Sequence, residues 1–327
     1  MSTKIEWATK VWNPVTGCDK VSAGCENCYA IGMTNRLQKI DATKKKYAGS
    51  VKHTKGGNLN WTGNIQCHES ELETPSKWKK PQRVFVCSMS DLFHEDIPFD
   101  FIEDVFDTMR FEADQHTYLV LTKRPDRAIE FYSWAAIDHP IFHIWIGTSV
   151  ENQEQANKRI PHLLQIPAAV RFLSCEPLLG KIDLNMVDQF KQFWMPQNDG
   201  IEGCAHINWV IAGGESGHNA RPMHPDWVRS LRDQCQDANV PFFFKQWGEW
   251  HPTDQVLEKV VNNRIFPTGD SHKWDERDEI ILNKMDEGNV WKKNKSIITA
   301  KVGKKAAGRM LDGREWNELP RKEVEQC

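Results

Sequence analysis

The sequence predicts an α/β protein built as a (β/α) barrel, full or partial and TIM-like. Three observations predict it. Short apolar runs rich in β-branched and aromatic residues alternate with amphipathic stretches. The runs are continuously apolar rather than alternating, as suits parallel strands buried on both faces. Polar residues recur at the C-terminal tip of nearly every run, the end at which barrels gather their functional groups. A doubly wound sheet would gather them at one switch point only.

The first strand falls in KVWNPV (10–15), followed by a cysteine-bearing loop and a first helix in YAIGMTNRLQKI (29–40). Later strands fall in RVFVCSMSD (83–91), TYLVLTKRP (117–125), FHIWIGTSVEN (142–152), VRFLSCEPL (170–178), NWVIAGGESG (208–217) and PFFFKQWGEW (241–250), about seven in all. Between them, residues 98–114 carry an apolar stripe at Phe101, Ile102, Val105, Phe106 and Met109. PDRAIEFYSWAAI (125–137) and NQEQANKRIPHLLQI (152–166) read as helices, the second broken or kinked at Pro161. PDWVRSLRDQCQDAN (225–239) begins with Pro225 where a first-turn proline belongs. Residues 1–250 are expected to form the barrel, with a basic insertion over 41–80, and 251–327 an extension packing on it. The insertion holds 8 Lys against 4 acids, and the stretch from Trp291 to Lys322 holds 10 Lys or Arg against 3 acids.

The 327-residue chain has a net charge of −3, so it lacks the overall signature of a nucleic-acid binder, although insertion and tail are locally basic. Its start has no apolar signal run, and no stretch approaches the length of a membrane span, which reads as a cytoplasmic protein without membrane contact. Nine cysteines in a reducing compartment are free thiols unless they bind metal. Cys87, Cys175 and Cys235 sit in strand-like or helical apolar patterns and read as packing residues. Fourteen tryptophans supply packing or flat stacking surfaces.

Cys18, Cys25 and Cys28 differ, falling together in one polar loop, WNPVTGCDKVSAGCENCYA (12–30). Cys28 lies at a helix start, whose field favours the thiolate. Three thiolates can hold three irons of a [4Fe-4S] cluster and leave the fourth open. The alternatives are a structural zinc completed by Cys67 or His68 and cysteines that merely pack.

CENCYA after a first strand resembles the cysteine loop of the radical S-adenosylmethionine superfamily, although six residues rather than the usual three separate Cys18 from Cys25. The whole chain is similar to a family of uncharacterised phage and bacterial proteins encoded beside a three-Cys-motif partner protein. WNPVTGC, CENCYA, LTKRP, GTSVEN, CEPLLG, GGESG, FFFKQWGEW and KKAAGRMLDGREW carry that resemblance. It implies a [4Fe-4S] cluster on Cys18, Cys25 and Cys28, S-adenosylmethionine as second cofactor, and release of a 5′-deoxyadenosyl radical. It also implies an electron donor such as flavodoxin or ferredoxin, and the three-Cys-motif protein as partner.

Strand-tip position assigns the remaining roles. Ser88, Ser90 and Asp91 are placed to hold the cofactor's amino group, and Thr148, Glu151 and Asn152 its ribose. Lys123 and Arg124 suit the cofactor carboxylate or a substrate phosphate. Glu215 suits adenine or substrate, with the glycines of GGESG allowing close approach to a ligand. Lys245 is a catalytic candidate or the ion-pair partner of Glu176. For any of these residues the competing role is a loop hydrogen bond or a helix cap. The basic strand tips, insertion and tail point to a phosphate- or nucleobase-bearing substrate, nucleic acid included. The other class of function is a non-catalytic nucleic-acid- or partner-binding protein with a structural zinc.

Overall fold

The computed structural model describes residues 5–186, 206–252, 271–273 and 298–320. Trp291 and its basic neighbours lie outside the described residues. Seven strands form the main sheet: β1 (Lys10–Trp12), β2 (Arg83–Val86), β3 (Thr117–Thr122), β4 (Ile144–Ser149), β5 (Arg171–Cys175), β6 (Trp209–Gly213) and β7 (Phe242–Gln246). Each pairs with the next in parallel, so spatial order follows chain order without reversal. A doubly wound sheet reverses direction at its switch point, and this sheet does not. It curls into a half-barrel whose end strands, β1 and β7, do not pair with each other.

Five helices accompany the strands: α1 (Tyr29–Leu37), α2 (Phe99–Asp107), α3 (Pro125–Trp134), α4 (Gln153–Gln165) and α5 (Pro225–Asp237). Strand residues alternate between two faces. Val84, Val86, Val120, Ile146, Val210 and Phe244 join the helices in the larger core, against Val105, Phe131, Ile160 and Leu231. Phe85, Leu119, Phe172, Trp209, Ile211 and Phe243 fill the concave face together with Trp7. Gly147 is required there: a Cβ on it would lie 2.5 Å from the Phe172 ring.

The helix over 153–165 continues through Pro161, so the proline does not break it. Proline removes one backbone hydrogen bond and costs about 3 kcal/mol or more in a helix interior. Ile160 and Leu163 flank it and are fully buried, each contributing about 1.5–3 kcal/mol. Packing therefore outweighs the local penalty.

The insertion is a compact appendage of the first helix. It contains a short helix (Asp41–Tyr47) and an antiparallel ribbon, Val51–His53 with Leu59–Trp61. Tyr47, Val51 and Trp61 pack on Ala30 and Ile31 of α1, with Cys18 and Cys28 partly buried against the same cluster. Gln66–Cys67 pairs with Val15–Thr16, just before the cysteine loop. At the junction Gly17 has φ +90°, and a Cβ there would sit 2.1 Å from the Asn64 carbonyl oxygen. Only glycine allows the insertion to approach so closely.

The described part of the extension covers the open edge at β7. Phe243 bridges Asn317 in antiparallel sense. The Phe244 N–H donates to the Trp316 carbonyl at 3.0 Å and the Glu318 N–H to that of Phe242 at 3.3 Å. Among the described residues no helix is long and apolar enough to cross a membrane.

Candidate functional site

The cysteine loop lies across the C-terminal mouth of the half-barrel, and buried carboxylates from two strand tips tie it down. Glu151, just past β4 and 1% exposed, accepts the Gly24 N–H at 3.0 Å and a guanidinium N–H of Arg159 at 3.0 Å. Its other neighbour is the Lys123 ammonium at 3.8 Å. Burial alone would raise the Glu151 pKa, but Lys123, Ser22, Arg159 and the Gly24 N–H hold it below the ordinary value. Glu215, beyond β6, is also buried. It accepts from the Asn27 side chain at 3.0 Å and from the Arg221 backbone at 2.8 Å. The Arg221 guanidinium binds Glu215 and donates to the Ala23 carbonyl at 2.9 Å. Ala23, Gly24 and Asn27 flank Cys25 on both sides, so the two carboxylates set the loop's path.

The three cysteines are free thiols. Cys18 lies near Arg124, whose guanidinium donates to Asp91 at 3.2 Å, while the Cys18 thiol donates to the Asp19 carbonyl at 3.4 Å. Burial pushes the Cys18 thiol up to about 12, Asp91 adds to the rise, Arg124 opposes it, and Cys28 and Cys25 add smaller increments. Cys28 is the residue before the first turn of α1, as expected. Its pKa is nevertheless raised, because burial outweighs the Ala30 and Ile31 N–H groups and Lys123. The helix start lowers the thiol pKa as expected, but by less than desolvation raises it.

Several expected ligand contacts are already engaged within the chain. The Asp91 carboxylate accepts from the Thr122 hydroxyl (2.7 Å), the Phe93 N–H (3.1 Å), the Lys123 N–H (2.9 Å) and Arg124. It shapes the β3 tip and aims Arg124. The Ser88 hydroxyl donates to Asn13 and that of Ser90 to the Val15 carbonyl. Thr148 is fully buried and donates to the Thr122 carbonyl. Asn152 caps α4 by accepting the Gln155 N–H at 3.0 Å. In GGESG, Gly214 lets the chain itself approach: a Cβ on it would lie 1.9 Å from the Trp247 carbonyl oxygen.

Lys245 binds Glu176 through both carboxylate oxygens, at 2.7 and 2.9 Å, as the ion-pair reading anticipated. The pair stands over the concave apolar layer and keeps some exposure, 15% for Lys245 and 20% for Glu176. Gly213 faces it, and its absent Cβ would lie 3.4 Å from the Lys245 Cβ. Cys67 is exposed, and the His68 ring nitrogen lies 2.9 Å from the Thr16 hydroxyl. Among the described residues, no three His, Cys, Asp or Glu side chains are grouped as ligands of one metal ion.

Sequence reasoning missed Asn27, Arg159 and Arg221. Arg159 had a signal, because it interrupts the apolar stripe of Ala156, Ile160 and Leu163 on a buried helix face. Arg221 and Asn27 had none, since only the folded chain brings them to Glu215.

These features define an α/β half-barrel with a free-cysteine loop held across its strand tips. The chain belongs to the family described as protein of unknown function DUF5131, whose profile matches residues 2–320. No curated protein and no solved structure matches it significantly.

Proposed function

We propose that this protein is a radical S-adenosylmethionine enzyme acting on a phosphate- or nucleobase-bearing substrate. The observation that carries the proposal is the cysteine loop: three free thiols at the barrel mouth, braced by Glu151 and Glu215, with Arg124 against Cys18. The donor set fits an iron–sulfur cluster, for which thiolates are the usual protein ligands. Cys18, Cys25 and Cys28 would hold it. When bound, such a cluster supplies the electron that cleaves S-adenosylmethionine to a 5′-deoxyadenosyl radical. Arg124 and Lys123 offset the negative charge of gathered thiolates. Lys245 and Glu176 offer the substrate a cation and a carboxylate on the concave face, away from bulk water. We also read the half-barrel as TIM-like, with the Asn317 segment at its open edge. A flavodoxin or ferredoxin would then be the electron donor, and the three-Cys-motif protein a partner.

Anaerobic reconstitution with iron and sulfide tests the reading. A broad brown absorption, lost in Cys18→Ala, Cys25→Ala or Cys28→Ala, is expected. Reduction with S-adenosylmethionine then releases 5′-deoxyadenosine. Purified protein holding stoichiometric zinc and no iron would overturn the proposal.

A further inference from the structure

The insertion carries a second feature that the cysteine loop does not use. Between Asp41 and Glu69 the chain has no acidic residue. That stretch contains Lys44, Lys45, Lys46, Lys52 and Lys55, of which only Lys46 forms an ion pair among the described residues, with Glu71 at 2.7 Å. The other four are exposed, as are Arg36 and Lys39 at the end of α1.

The ribbon gives these charges a shape. Val51 and Trp61 bury its base, while every residue from Lys52 to Asn58 is exposed. The tip is ordered by its own hydrogen bonds: the Thr54 N–H donates to the Asn58 carbonyl at 2.8 Å, and the Gly57 N–H to that of Thr54 at 2.9 Å. Lys52 stands opposite Asn60 across the strands. The exposed tip therefore presents cations together with hydroxyl, amide and imidazole groups, and no apolar side chain.

We infer that the ribbon and the adjoining helix dock a DNA duplex, the ribbon entering the major groove and Lys44 and Lys45 contacting phosphates. A two-stranded ribbon fits the major groove, where base edges display both donors and acceptors. Lysines at its sides suit the phosphate chains. The charge and polarity favour this occupant over a membrane, because a membrane-inserting tip needs apolar residues and this one has none. The ribbon base packs on α1, whose first residue follows Cys28. A duplex held there lies beside the mouth of the half-barrel. The inference deepens the reading above by naming the substrate class, and rests on it only for what happens after docking.

The test is fluorescence anisotropy of a labelled duplex DNA of about twenty base pairs, titrated with the full chain at several salt concentrations, before and after iron loading. The wild-type chain should bind, with affinity falling steeply as salt rises. Lys52→Ala with Lys55→Ala should weaken binding at least about tenfold and reduce the salt slope by roughly 2. Lys44→Ala with Lys45→Ala should act similarly. Lys79→Ala with Lys80→Ala, exposed ahead of β2 at the opposite end of the sheet, should change neither. All changes are on exposed side chains, and circular dichroism and thermal unfolding should match wild type. Unchanged binding in the ribbon variants would overturn the inference. So would equal affinity for the single strand, preference for phosphatidylserine vesicles, or loss of binding only in Lys304→Ala with Lys305→Ala on the extension. Binding before iron loading is independent of the cluster, so failure here leaves the cysteine-loop proposal standing, and failure of iron loading leaves this one standing.

Discussion

Glu151 shows how one side chain can join stability to the path of the cysteine loop. It is 1% exposed and faces Arg159, which is 3% exposed. Removing one partner of such a pair strands the other charge in the core. Glu151→Ala should therefore destabilise the chain by about 3–5 kcal/mol, read from urea unfolding. It also frees the Gly24 N–H, so Cys25, now 7% exposed, should react faster with iodoacetamide in the metal-free protein. Glu151→Gln keeps an acceptor for Gly24 and should lose stability while leaving Cys25 better protected. Equal alkylation rates in all three proteins would show that Glu215 and Arg221 suffice to hold the loop.

Among the elements, the extension depends on Asp312 to keep its place. Asp312 has φ +51° and sits between Arg229 and Arg232 of α5, with Arg232 also over the Trp316 ring. Burial raises its pKa, but the two guanidiniums more than offset that and hold it below the ordinary aspartate value. A depressed folded pKa means stabilisation that is present above the unfolded value and disappears as pH falls through the folded one. Proteolysis of the extension should thus accelerate in acid. Asp312→Asn tolerates the same backbone conformation, and should be cleaved faster at neutral pH with little further change in acid. A pH profile in the variant as steep as wild type would refute this role. The elements were the most legible level of the sequence, because period and length suffice for a buried strand or an amphipathic helix. Seven strands and the polar tips were read from apolar runs alone. Pro161 does not break its helix, and a local penalty cannot reveal the packing that offsets it. Gly214 of GGESG answers to Trp247, a neighbour that only the fold makes. The cysteine loop was legible as three thiols close in sequence, but its braces were not, because Arg221 and Asn27 meet Glu215 only in three dimensions.

The whole molecule divides its concave face into two layers with different duties. The lower layer is aromatic: Trp209 meets Trp7, Trp145, Phe172 and Phe243 with ring centroids 5.9–6.4 Å apart. Its indole N–H donates to the Glu318 carbonyl, which joins the layer to the extension. Trp209→Ala should cost about 3–5 kcal/mol and lower the unfolding midpoint of sheet and extension together. The upper layer holds Lys245 and Glu176, whose removal should behave differently. Deleting Glu176 alone leaves a partly buried ammonium without its carboxylate, and Glu176→Ala should destabilise measurably. Replacing both, as Glu176→Gln with Lys245→Met, removes the charge and its counter-charge together and should be nearly neutral for stability. Iron loading should also survive in that double variant, because the hydrogen bonds of Lys245 go to Glu176 rather than to the cysteine loop, whereas on the proposed function turnover of substrate should be lost. A double variant that unfolds as readily as Trp209→Ala would place the ion pair in the structural layer and remove it from the chemistry.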